Sequence, residues 1–195
     1  NEAANNTAVG YQSLYSNTSG TSNAAVGREA LNQNTSADNN TALGYRALFL
    51  STTGANNTAV GRECLQANTT GASNTALGST ALDAHTTGSD NIAIGKNVAN
   101  ALTTGNTNIA IGGLAMNTNT VGDRNVAIGY SALETYNPAS NEDSYNVAVG
   151  YAALEANTTG KNNTAIGGNS MLLTTTGVNN TAVGASSLDA NTTGE

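Results

Sequence analysis

Apolar residues return along the chain in a short alternating pattern. The tripeptide Ala-[Val/Ile/Leu]-Gly recurs with a 17-residue period, which is interrupted once by a 21-residue interval between Gly129 and Gly150. In most copies a Thr, Ile or Val precedes the Ala, and a Val, Ile or Leu follows it. In an extended chain the Ala side chain therefore faces one way and the two flanking side chains face the other way. β-Branched residues at these positions favour a strand. The pattern predicts one short β-strand in each 17-residue unit.

An asparagine precedes each predicted strand and a glycine ends it, and both residue types suit tight corners with positive φ. The repeat glycines end the strands at Gly10, Gly27, Gly44, Gly61, Gly78, Gly95, Gly112, Gly129, Gly150, Gly167 and Gly184. The repeat asparagines, four residues earlier, are Asn6, Asn23, Asn40, Asn57, Asn74, Asn91, Asn108, Asn125, Asn146, Asn163 and Asn180. Eleven copies in register argue against a disordered low-complexity chain and indicate stacked repeats.

We therefore predict an all-β fold, a parallel β-solenoid of eleven 17-residue coils that forms one domain over residues 1–195. The longer interval places a four-residue insertion within 134–145. Side chains one repeat apart become neighbours, so Val60 is expected beside Leu43 and Leu77. The chain opens and closes within a repeat, and we expect it to be a piece of a longer protein.

The neighbour rule also predicts favourable contacts between successive coils. Glu29, Arg46 and Glu63 alternate in charge at one repeat position. The preceding position carries Tyr11, Arg28, Tyr45 and Arg62, an alternating aromatic–cation ladder, although chance placement on a solvated face is the alternative.

Each predicted strand is apolar on both sides, with an Ala row on one face and a Val/Ile/Leu row on the other. A narrow coil has one interior, so one row becomes an exposed stripe, and such stripes usually mark association. We expect a homo-oligomer whose axis runs parallel to the solenoid. The sequence leaves open which row faces inward, and a monomer with a flattened two-layer interior is the alternative.

The net charge and composition of the chain limit the classes of partner that it is expected to bind. The net charge is −7 and the six basic residues are spread along the chain, which disfavours nucleic acid. No apolar run approaches the length of a membrane span, so we expect no membrane insertion in this segment. Neither a nucleophile–base set nor a metal-ligand cluster is visible, and we predict no catalytic, cofactor or metal site and no enzyme activity. The lone His85 is expected on the surface, and the lone Cys64 as a buried inert thiol.

The insertion is the one irregular segment. Extra residues in a solenoid map to a surface loop that often lies on the binding face, although insertions are also tolerated neutrally. The candidate receptor-contact residues are Tyr136, Asn137, Pro138, Glu142, Asp143 and Tyr145.

The repeat Asn-[Thr/Ile/Val]-Ala-[Val/Ile/Leu]-Gly resembles the YadA-like head repeats of trimeric autotransporter adhesins. It is also similar to repeat regions of phage tail fibres, which carry units like residues 6–20, N-T-A-V-G-Y-Q-S-L-Y-S-N-T-S-G. The resemblance implies a left-handed β-roll, a homotrimeric fibre and attachment to an unknown surface receptor or glycan. It also implies an extracellular location, on a bacterial surface or a phage virion.

Two other functions stay open. One is a filament subunit that stacks end to end. The other is a monomeric ice- or surface-binding solenoid, since Thr pairs such as Thr69–Thr70 and Thr86–Thr87 recur at one position. Adjacent residues of an extended strand point opposite ways, so only one Thr of each pair is expected on a given face.

Overall fold

The computed structural model describes residues 3–194 and shows a parallel β-solenoid with no helix in that range. Residues 1, 2 and 195 of the predicted domain lie outside the described residues. Over residues 3–194 there is accordingly no helix long and apolar enough to cross a membrane. Each repeat unit contributes one three-residue strand. The strands are β1 Thr7–Val9, β2 Ala24–Val26, β3 Thr41–Leu43, β4 Thr58–Val60, β5 Thr75–Leu77, β6 Ile92–Ile94, β7 Ile109–Ile111, β8 Val126–Ile128, β9 Val147–Val149, β10 Thr164–Ile166 and β11 Thr181–Val183.

The strands form one eleven-stranded parallel sheet in chain order, which confirms the predicted fold class. The register is the predicted one, because Val60 pairs with both Leu43 and Leu77. The sheet keeps its register across the insertion, where Val126 pairs with Val147. Equivalent side chains therefore lie directly above one another from coil to coil.

The Ala row faces the interior of the coil. From β2 to β11 the central Ala of each strand is at most 4% exposed, and it packs in a single core cluster with the small residue and the Leu or Met that follow the repeat glycine. In one coil these residues are Ala76, Ala81 and Leu82. The Val/Ile/Leu row is consequently the one that faces outward.

The repeat asparagines form a buried hydrogen-bond ladder. The backbone N–H of Asn91 donates to Oδ1 of Asn74 at 3.0 Å, and Nδ2 of Asn91 donates to the carbonyl of Gly105 at 2.9 Å. Our expectation that these asparagines take positive φ is wrong, since the residue before each of them does so, as Asp90 does at +61°. The asparagines instead satisfy backbone groups that burial would leave unpaired.

The repeat glycines do have the predicted positive φ. Gly112 has φ +122°, and a Cβ there would lie 2.6 Å from the carbonyl carbon of Gly129 in the next coil. The Leu or Met that stands four residues after a repeat glycine forms a further row, the Leu/Met row. These residues also have positive φ, as Leu82 does at +52°, which is uncommon for a residue other than glycine.

Candidate functional site: an exposed apolar sheet face

The outward side chains of the sheet form an apolar surface that follows the solenoid axis. We call the third residue of each strand, together with the outward first residue, the outer stripe. Leu43 and Leu77 are 47% and 45% exposed, and Ile92 is 38% exposed. Eleven strands at about 4.8 Å give a stripe about 50 Å long. The prediction of an exposed apolar row is confirmed, and that row is the Val/Ile/Leu row.

The stripe is most apolar in the middle of the stack. Its first strand position is Thr in β3, β4 and β5, and then becomes Ile92, Ile109, Val126 and Val147 in β6 to β9. These strands present two β-branched or aliphatic side chains outward in every coil. Isolated apolar residues are ordinary on a protein surface, whereas large contiguous apolar patches usually mark interaction sites.

Tyrosine and arginine side chains lie beside the stripe, one residue after the repeat glycines. The guanidinium carbon of Arg28 lies 5.6 Å from the ring centroid of Tyr11 and 5.9 Å from that of Tyr45. The predicted aromatic–cation ladder is therefore present around Arg28. Further along, the rings of Tyr130 and Tyr151 stack at 6.0 Å with an interplanar angle of 10°.

The predicted charge pairing between coils is present at Glu29. Nε of Arg46 in the next coil lies 2.5 Å from one carboxylate oxygen of Glu29, and Nε of Arg28 lies 3.1 Å from the other. The hydrogen bond from Arg46 is the main cause that lowers the pKa of Glu29, and Arg28 adds to it. Burial acts in the opposite direction, so the paired carboxylate stays charged near neutral pH.

The insertion only partly matches the predicted contact surface. Tyr136 is 0% exposed and Pro138 is buried, so these two residues are corrected from contact residues to core residues. Tyr136 stands one repeat after Asn119, at an inward position, and its ring lies against Gly122. That register was visible in the sequence and was the signal that the prediction missed.

The other four candidates lie at the surface, and two of them form ion pairs with neighbouring coils. Asp143 pairs with Arg124 of the preceding coil, and Glu142 pairs with Lys161 of the following coil at 2.6 Å. The Tyr145 hydroxyl donates to Asp143 at 3.1 Å, and Asn137 is exposed. Glu142, Asp143 and Tyr145 make a patch that is fixed to three successive coils, and the receptor contact of all four residues stays a prediction.

His85 is not a surface residue, and our expectation is wrong. It is 0% exposed, and its Nε2 lies 2.8 Å from the carbonyl oxygen of Gly88, so that nitrogen is the donor. The position is the inward corner that Asn68 and Asn119 occupy in other coils. Burial lowers the pKa of His85 and keeps the ring neutral.

Cys64 is a buried thiol as predicted, and burial raises its pKa to about 12. At that pKa the nucleophilic thiolate is scarce near neutral pH. Within residues 3–194, no group of three or more His, Cys, Asp or Glu side chains is placed to hold a metal ion.

The threonine pairs divide their roles as predicted. Oγ1 of Thr69 donates to the carbonyl of Thr86 at 3.0 Å, while Thr70 is exposed. The first hydroxyl of the pairs Thr52–Thr53, Thr69–Thr70 and Thr86–Thr87 joins neighbouring coils, and the second Thr of each of these pairs is exposed.

Comparison of the chain with protein-family models, curated proteins and solved structures found no match. The repeat, the outer stripe and the surface beside it are therefore the features of this chain that bear on its function.

Proposed function

We propose that this chain is a rigid, homotrimeric segment of an extracellular attachment fibre. The observation that carries the proposal is the outer stripe, an apolar row whose side chains one chain leaves exposed or half-buried from coil to coil. Burial of such a row releases about 25 cal/mol per Å² of apolar surface, which makes association along the solenoid axis favourable.

The geometry of the stripe favours parallel chains. Because every coil presents the same two outward positions at the same height, chains aligned in parallel bring like residues together at each level. Closed rotational symmetry then covers every stripe and leaves no open surface for further growth. The number three and the left-handed twist are proposed from the resemblance to adhesin heads and tail fibres.

The interior of the solenoid makes the chain stiff along its axis. The sheet hydrogen bonds, the asparagine ladder and the threonine hydroxyls all join one coil to the next along the axis. Bending the stack opens several of these bonds together on one side. A chain of this type holds its ends apart, as a spacer or head between a bacterial surface or virion and its target.

The variant Leu77→Glu tests the interface. It places a charge at an exposed position in the middle of the stack. Association would bury one such charge from each chain close to the same charge of the other chains, which is unfavourable. We expect the native mass in sedimentation analysis to fall to that of one chain, with the circular dichroism spectrum unchanged.

Thr70→Glu is the matched control, because Thr70 is exposed at the other corner of the coil. We expect it to keep the oligomer. An oligomer that survives Leu77→Glu with undiminished stability, or dissociates equally in both variants, contradicts the assignment of the stripe as the interface.

A further inference from the structure

A slot opens on the surface where one coil lacks the side chain that its neighbours have. The position after the repeat glycine carries Lys96, Gly113, Tyr130 and Tyr151 in four successive coils. Gly113 leaves a cavity of about 270 Å³, lined by Lys96, Asn97, Gly113, Leu114 and Tyr130. Lys96 and Tyr130 are two coils apart, so they stand about 10 Å from each other along the axis.

The aromatic wall of the slot is held in place. Tyr130 stacks on Tyr151 through one ring face, at 6.0 Å between centroids, and its ring edge approaches Gly113. The side chain is nevertheless 53% exposed. A fixed, exposed ring of this kind offers an apolar platform for a flat or ring-shaped ligand at little conformational cost.

The opposite wall carries the cation of Lys96. The chain has six basic residues, and Arg28, Arg46, Arg62, Arg124 and Lys161 each form an ion pair. Lys96 forms none within residues 3–194. In a chain of net charge −7, the unpaired ammonium group gives this slot a local preference for an anion.

Asn97 supplies a polar group to the lining of the slot. The hydroxyl of Thr80 lies 2.5 Å from Oδ1 of Asn97 and occupies that end of the amide. The other end of the Asn97 amide is left to hydrogen-bond a ligand hydroxyl. We propose that the slot binds an acidic pyranose, with the sugar ring on Tyr130, a hydroxyl on Asn97 and the carboxylate at Lys96.

The size of the slot suits one sugar unit. Its volume is close to the lower end of the range for small-molecule sites, about 300–1,000 Å³. A single sugar makes few contacts, so we expect a dissociation constant of about 1 mM. The inference deepens the proposed attachment role by naming a ligand class, and it rests on that role for its biological meaning.

Saturation-transfer NMR with sodium glucuronate tests the slot on the unmodified chain. We expect transfer to the ring protons of glucuronate, and at least fivefold weaker transfer to glucose, which lacks the carboxylate, and to acetate, which lacks the ring. No transfer to glucuronate, or equal transfer to glucose, overturns the proposal.

Gly113→Leu fills the slot at a position where an added Cβ makes only ordinary contacts, the nearest at 3.4 Å from the Tyr130 ring. Gly168→Leu is the control at the same repeat position, where a Cβ has nothing within 4 Å. We expect the signal to vanish in the first variant and persist in the second. Lys96 is exposed, so Lys96→Gln spares the fold, and it should reduce the saturation transfer to glucuronate to the level seen with glucose.

Binding that survives both Gly113→Leu and Lys96→Gln overturns the assignment. Native mass, measured on the same samples, separates the two proposals. An oligomer without glucuronate binding contradicts the slot alone, and a monomer that binds glucuronate contradicts the trimer alone.

Discussion

Single residues in this chain act through the stack above and below them, and His85 shows the effect most clearly. It occupies an inward corner that holds Asn in several other coils, so an ionisable ring lies where an uncharged amide usually lies. Its Nε2 is bonded, while Nδ1 is buried without a hydrogen-bond partner in residues 3–194. Protonation of Nδ1 would place a charge in the interior, which is why the pKa is lowered.

The lowered pKa of His85 predicts a pH dependence of stability. The ordinary pKa of histidine is about 6.5. Below that pH His85 binds a proton in the unfolded chain but not in the folded chain, so the free energy of unfolding decreases as the pH is lowered. The loss continues down to the folded pKa, by up to about 1.4 kcal/mol per pH unit, and is absent above pH 7. Urea unfolding at pH 7.5 and pH 5.5 measures it.

His85→Asn is the matched variant, because Asn68 and Asn119 hold the same corner in other coils. Carboxylates titrate alike in both chains, so only the difference between them reports on His85. We expect the native chain to lose more stability on acidification than the variant. Equal losses would show that His85 does not resist protonation.

At the scale of the element, the repeat corner depends on a glycine that two constraints require. Gly112 combines a φ of +122° with close approach to the backbone of the next coil, whereas its neighbour Gly113 has room for a methyl group. We expect Gly112→Ala to lower the free energy of unfolding by at least about 2 kcal/mol, from strain and overpacking together.

Gly113→Ala is the control, one residue away, and we expect a change within about 0.5 kcal/mol. Thermal unfolding of the two variants side by side measures the difference. If both substitutions are equally mild, then neighbouring coils do not approach each other at this corner as closely as the structure has them.

Much of the element was predictable because period and residue type agree in every copy. Strand position, parallel register and the presence of one exposed apolar row all follow from side chains that alternate within a unit and recur with the 17-residue period. The inward direction of the Ala row was not predictable, since both rows are apolar. The core settles it, because each coil packs three inward residues such as Ala76, Ala81 and Leu82 into a narrow interior.

The positive φ of the Leu/Met row was also out of reach of sequence reasoning. Leucine rarely takes this conformation, and nothing in its side chain favours it. The stack imposes it, since the N–H of Leu82 donates to the carbonyl of Val98 in the next coil at 3.1 Å. Tyr136 and Pro138 were misplaced for a different reason, because an insertion predicts a loop while the 17-residue register places Tyr136 inward.

For the whole molecule, the interior and the outer stripe have separate roles. The interior holds the coils of one chain together through ladders that run along the axis, and the stripe is apolar surface that a single chain leaves uncovered. The proposed fibre role depends on that surface being covered by other copies of the chain. The slot at Gly113 and the patch around Tyr145 lie outside the stripe and supply candidate contacts with a target.

The native mass of the unmodified chain in solution, measured by light scattering on a size-exclusion column, tests this account most directly. The account predicts a species of three times the chain mass of 19.4 kDa over a wide range of protein concentration. A folded species of 19.4 kDa would show that the stripe stays uncovered, and it would contradict the attachment-fibre proposal.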